Sequence, residues 1–137
     1  MSEDKVLILI ADDDMDTRTI LVDYLSHRGY EVAAARDGNE ALELAKAWPP
    51  DLALLDVMMP GRSGVGLASL LKELYPDIQV IIITAYGSIG LAVEAMQKGA
   101  FCYLTKPIRL QQLLKTIQDV MNADEESSAE DAANEST

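Results

Sequence analysis

Val6-Leu7-Ile8-Leu9-Ile10-Ala11-Asp12-Asp13-Asp14 is an apolar run that ends abruptly in three acids. Such a run is too short for an amphipathic helix and has the form of a strand buried on both faces, as central strands of parallel sheets are. Leu52 to Leu55 followed by Asp56, and Val80 to Ile83 followed by Thr84, repeat it. With Val6 to Ile10 as the first strand, Glu31 to Ala35 and Phe101 to Leu104 complete five strand candidates. Between them apolar residues recur at helical spacing: Thr17, Ile20, Leu21, Tyr24 and Leu25; then Leu67, Leu70, Leu71 and Leu74; then Ile89, Ala92, Val93 and Met96; then Leu110, Leu113, Leu114, Ile117 and Met121. These stripes are expected to supply the core. Asp14 is placed to cap the first helix, and Gly29 to end it. Asp37 with Glu40 marks the start of another that closes before Pro49-Pro50. Strand and helix alternate through five rounds, which predicts an α/β fold with a single doubly wound parallel sheet of five strands and five helices.

The chain has 137 residues, a formal charge of -12, one His and one Cys. One domain is expected, large enough to bury a core without staples. Cys102 alone can form no internal disulfide, and one Cys with one His makes no zinc cluster, so a reducing cytoplasmic compartment is expected. The acidic Met1–Lys5 leader lacks the charge pattern of a signal peptide, and no apolar run reaches a membrane-spanning length of about 20 residues. The excess of acid speaks against direct binding of nucleic acid or membrane. Residues 122–137 carry six acids and no Lys or Arg. The domain is therefore expected at 1–121, with 122–137 a solvated, disordered tail or the start of a linker.

In open α/β sheets chemistry collects beyond the carboxyl ends of the strands. Asp12, Asp13 and Asp14 follow the first strand, Asp56 the third, Thr84 the fourth, and Thr105, Lys106 and Pro107 the fifth. Taken singly each has a commoner explanation as a cap or a solvated charge. Jointly they direct carboxylates, a hydroxyl and an ammonium at one small volume. Two carboxylates about 5 Å apart repel by on the order of 3 kcal/mol at an effective dielectric near 20, so Asp12, Asp13 and Asp56 need a counter-cation beyond Lys106. An all-oxygen site without His or Cys suits Mg2+, which keeps waters and recruits phosphate oxygens. The chemistry inferred is metal-assisted phosphoryl transfer to a carboxylate, with Lys106 and Thr84 contacting the transferred group.

These residues carry a resemblance. The segments Ile8-Leu9-Ile10-Ala11-Asp12-Asp13-Asp14, Leu55-Asp56-Val57-Met58-Met59-Pro60-Gly61, Thr84-Ala85-Tyr86 and Tyr103-Leu104-Thr105-Lys106-Pro107 resemble the CheY-like receiver domains of two-component response regulators over about residues 5–121. That resemblance implies flavodoxin-like topology with strand order 2-1-3-4-5. It makes Asp56 the phosphoacceptor, and Asp12, Asp13, Asp56 and the Met58 backbone carbonyl the Mg2+ site, with Asp13 bound directly and Asp12 through water. Thr84 and Lys106 would contact the phosphoryl group, and Tyr103 would be an aromatic switch coupled to Thr84. The implied partner is a histidine kinase or phosphotransfer protein, and the implied output a switched surface of the fourth helix, fifth strand and fifth helix. The domain would catalyse its own phosphorylation and dephosphorylation without being a turnover enzyme.

The run Thr84-Ala85-Tyr86-Gly87-Ser88, with Ala92 to Met96 and Gly99-Ala100, resembles receivers of nitrogen-response transcription activators, some of which pair through the fourth and fifth helices. Leu91, Val93, Leu110 and Leu114 are the candidates for such a homodimer. Ser63 stands before Gly64 where the family usually has Asp, and can cap the third helix as Asp would. Bulky Met58 and Tyr86, which bring no acid or amide to orient water, imply slow loss of the phosphoryl group. A phosphatase of haloacid-dehalogenase type fits less well, because its nucleophile belongs to an Asp-x-Asp pair after the first strand. A flavin module would meet three acids where it needs a phosphate loop. His27, at a helix end outside any bundle pattern, is expected to be a surface residue rather than a phosphohistidine.

Overall fold

The computed structural model describes residues 5–85 and 88–135, with side chains described as far as Asn122. The elements are β1 (Leu7–Ala11), α1 (Met15–His27), β2 (Glu31–Ala35), α2 (Gly38–Ala47), β3 (Leu52–Asp56), α3 (Gly64–Leu74), β4 (Gln79–Thr84), α4 (Ile89–Gln97), β5 (Cys102–Thr105) and α5 (Leu110–Glu135). All strand pairs are parallel, in the order β2-β1-β3-β4-β5. This is the five-stranded, flavodoxin-like arrangement expected.

Strand periodicity sorts the core into two layers. Ile8, Ile10, Leu52, Leu54, Ile81 and Ile83 point to one face, against Leu21 and Leu25 of α1 and Leu113, Ile117 and Val120 of α5. Leu9, Ala11, Ala53, Leu55, Val80 and Ile82 point to the other, against α2, α3 and α4 through residues such as Ala41, Leu67, Leu71, Ala92 and Ala95. Burial on both faces explains why β1, β3 and β4 are almost wholly apolar.

The helix starts follow local chemistry. Asp14 accepts from the Thr17 N–H, Asp37 from Glu40 and Ser63 from Gly66, so all three expected caps are in place. Glu40 reaches back to the Arg36 N–H at 2.9 Å, one residue before the partner a capping box would use. Gly29 follows α1 with φ 94°, the left-handed conformation that glycine adopts at a helix end.

Several expectations shift. The strand β5 begins at Cys102 rather than Phe101, and Phe101 lies exposed. Ile20 is 53% exposed, and Leu74, Val93 and Met96 are exposed too, so the helical stripes are not wholly core. Ile20 borders a groove with Lys106, Pro107 and Ile108, and the nine-residue α4 buries only Ala92 and Ala95. Leu91 and Val93 are exposed and Leu110 and Leu114 half-buried. The backbone of α5 stays helical past Met121, through a stretch rich in Ala and Glu, which favour helix. Met1–Asp4 and Tyr86 lie outside the described residues, as do the side chains of 123–137 on which the tail reading rests.

Candidate functional site

Parallel strands end at one edge, and the register brings their carboxyl ends together. Ala11 pairs with Leu55, Asp56 with Ile83, and Thr84 with Thr105, so the residues following β1 and β5 flank the end of β3. Asp12, Asp13 and Asp56 each place a carboxylate oxygen within 4.8 Å of the others. Lys106 lies between them, its Nζ 3.0 Å from Asp12 Oδ2 and 3.0 Å from Asp56 Oδ2.

Each carboxylate is held differently. Asp12 is fully buried; its Oδ1 accepts from the Asp14 N–H at 2.9 Å, and its own N–H donates to the Ala35 carbonyl. Asp12 Oδ2 is buried with only the Lys106 ammonium beside it, and that ammonium is shared with Asp56. Asp56 is 4% exposed, with Oδ1 accepting from the Met58 N–H at 3.0 Å and Oδ2 from Lys106. Asp13 is exposed at the mouth. Burial and the neighbouring Asp12 charge push the Asp56 carboxyl above the usual carboxylate range, against the pull of Met58 and Lys106. For Lys106 burial works to lower the pKa, but the Asp12 and Asp56 carboxylates outweigh it and raise it. Asp14, engaged with Thr17, is held below the ordinary value.

Thr84 is fully buried, and its hydroxyl donates to the Ala85 carbonyl at 3.1 Å rather than to a carboxylate. Its own carbonyl accepts from the Lys106 N–H, which ties the ends of β4 and β5 together. Tyr103 is half-buried and packs against the core layer on the α4 side of the sheet. Met58 follows Asp56 in the β3–α3 loop with 56% of its surface exposed. His27, by contrast, is exposed at the end of α1, away from the strand ends.

Two contributors were not anticipated from the sequence. Arg18 Nη1 donates to the Asp12 carbonyl at 2.8 Å. Gly64 is pressed against the phosphoacceptor candidate's own backbone, where a Cβ would collide with the Asp56 carbonyl oxygen and Val57 Cα. The position of Arg18, one turn into a helix that starts beside Asp12, was the available signal for the first. The second depends on a loop path that no residue spacing encodes.

The donor set fits a hard divalent cation: all oxygen, clustered within 4.8 Å, with three carboxylates against the single charge of Lys106. A parallel five-stranded sheet with acids beyond β1 and β3 and a lysine beyond β5 defines a domain of CheY-like architecture. Residues 8–118 match the response regulator receiver domain, and the chain belongs to that family. It is 40% identical over 88% of its length to the transcriptional regulatory protein ZraR of Escherichia coli, covering 27% of that protein. It is 34% identical over 85% of its length to the DNA-binding transcriptional regulator NtrC of Azospirillum brasilense, covering 24% of it. The chain thus spans about a quarter of these relatives. Among solved structures, a CheY-like receiver domain protein from Methanospirillum hungatei superposes with TM-score 0.85 at 30% identity, over 90% of this chain and 98% of that one. NtrX from Brucella abortus, in complex with ADP, matches with TM-score 0.85 at 28% identity, over 91% of this chain and 29% of that one. The chain is therefore a receiver domain of the two-component type, a signalling domain, and the haloacid-dehalogenase alternative is not favoured. Among the described residues no helix is long and apolar enough to cross a membrane.

Proposed function

We propose that this domain accepts a phosphoryl group on Asp56 from the phosphohistidine of a histidine kinase or phosphotransfer protein and relays the change to a partner-binding surface. The observation that carries this reading is Lys106 Nζ, 3.0 Å from carboxylate oxygens of both Asp12 and Asp56 at the mouth of a cluster open to solvent through Asp13.

A carboxylate oxygen of Asp56 attacks phosphorus; the P–O bond forms as the P–N bond breaks, and the electron pair leaves on the imidazole nitrogen. Asp56 is held for this by Met58 N–H and Lys106, which fix the rotation of its carboxylate. Asp12, Asp13, Asp56 and the Met58 carbonyl would hold Mg2+, whose charge would offset the carboxylates and the oxygens in transfer. Lys106 remains paired with the new group, and positioned charge of this kind supplies most of the rate where little further covalent chemistry is needed. Thr84 then exchanges its Ala85 acceptor for a phosphoryl oxygen, and Tyr103, packed at the same end of the sheet, follows it.

The receiver unit proper is read as ending near Met121, with 122–137 an acidic tail or linker start; Val120 is the last buried side chain described, and the family match ends at residue 118. A homodimer through α4 and α5 is supported by exposed Leu91 and Val93. The net charge supports a domain that contacts protein rather than nucleic acid, and a cytoplasmic site of action is consistent with its free cysteine.

Borohydride cleavage of the phosphorylated protein tests the assignment. Reduction of an acyl phosphate at Asp56 leaves homoserine at that position, read by peptide mass. Homoserine at Asp12 or Asp13 instead, or phosphate stable to the reagent, contradicts it.

A further inference from the structure

We propose that Arg18 is a positioning residue for the acidic site, holding the Asp12–Asp13 peptide so that Asp13 is presented to the cation. The inference rests on the reading of Asp12, Asp13 and Asp56 as a Mg2+ site. Asp12 is pinned on every side: its N–H donates to Ala35, its Oδ1 accepts from Asp14, and its carbonyl accepts from Arg18 Nη1 at 2.8 Å. That carbonyl belongs to the peptide unit leading into Asp13, so its orientation sets where the Asp13 backbone and side chain go.

On its other side the Asp13 backbone is tied by the Asp14 N–H to Asp12 Oδ1, but the Asp13 side chain has no restraint of its own. It is exposed, and among the described residues no hydrogen bond holds its carboxylate, whereas Asp12 and Asp56 each have a backbone donor. Its place within 4.8 Å of the other two carboxylate oxygens therefore depends on its backbone. Three carboxylates this close repel, and the most exposed of them is the one free to swing away. The Arg18–carbonyl bond opposes that swing in the absence of metal. Arg18 makes no ion pair among the described residues, so its guanidinium acts through the carbonyl rather than by neutralising a carboxylate. Its rigid planar guanidinium holds Nη1 on a fixed carbonyl with less freedom than the rotatable ammonium of Lys would have. Partners behind metal ligands commonly set metal affinity about 10- to 100-fold.

The test is Mg2+ titration of the intact chain, followed by the Asp13 and Asp12 amide signals in NMR, with melting temperature recorded in chelator. Arg18→Ala is expected to weaken Mg2+ binding by about tenfold or more. Arg18→Lys, which keeps the charge and N–H donors without the planar guanidinium, is expected to recover part of it. Arg28→Ala, which removes the same charge at the far end of α1, is expected to bind as the native chain does. A loss shared equally by Arg28→Ala, or an Arg18→Ala chain that binds within about twofold of native, overturns the positioning role while leaving the metal site standing. A melting temperature lowered in Arg18→Ala with affinity unchanged reduces Arg18 to a helix-stabilising residue and overturns the proposal as well. A native chain that binds no Mg2+ overturns the site reading and this inference with it. Binding lost in Asp13→Asn but retained in Arg18→Ala sinks this inference alone.

Discussion

Asp56 is a carboxylate placed where a carboxylate is unstable. Burial is the main reason its pKa is raised, and Asp12 adds to it, so the folded chain holds a proton on Asp56 more readily than the unfolded chain does. The sign follows: stability is unaffected by this group below the unfolded pKa near 3.8 and falls as pH rises from there through the folded pKa. In metal-free solution Asp56→Asn is therefore expected to be more stable than native at neutral pH, with the gap closing below about pH 4. Urea unfolding in chelator at both pH values checks this; a native chain more stable at neutral pH contradicts it. Lys106 has the same sign at higher pH: the stabilisation from its ion pairs is present below the ordinary lysine value and is lost as pH rises through its raised folded pKa. The residue types and positions of this site were legible in the sequence because each follows an apolar strand run. Its supports were not: Arg18 acts through a backbone carbonyl, and Gly64 through a contact with the Asp56 backbone.

At the scale of elements, the site depends on how tightly α3 meets the end of β3. Gly64, the first residue of α3, leaves no room for a Cβ beside the Asp56 carbonyl, and the Gly64 N–H donates to Val57 O at 3.2 Å. Gly66, two residues on, has only ordinary contact with Ser63 Oγ. Gly64→Ala is thus expected to cost about 2 kcal/mol by overpacking and to slow phosphorylation, while Gly66→Ala should gain up to about 1 kcal/mol from helix propensity. Chemical denaturation of the two variants decides it, and equal effects from both would show that the close approach at Gly64 can relax. The strands were legible from apolar runs and the helix starts from Asp14, Asp37 and Ser63, because both signals are local. The edge strand β5 was misplaced by one residue because Phe101 looks like strand but has no second sheet neighbour to bury it. Ile20, Leu74, Val93 and Met96 kept helical spacing yet stayed exposed. Spacing sets a face, whereas burial depends on whether a neighbour covers it, and α4 is covered only along Ala92 and Ala95.

The whole domain is a sheet with two apolar layers and one polar end, where the proposed phosphoacceptor Asp56 lies. Lys106 offsets only part of the repulsion among Asp12, Asp13 and Asp56, so a cation bound there, as proposed, would stabilise the folded domain. The net charge of this sequence, -12, favours association with cationic groups over polyanions. The measurement that tests the central claim most directly is intact mass after incubation with acetyl phosphate and Mg2+, run beside Asp56→Ala and a chelator control. The account predicts the gain of one phosphoryl group by the native chain and none in either control. A native chain that stays unmodified while folded and supplied with Mg2+, or an Asp56→Ala chain that gains the same mass, would contradict it.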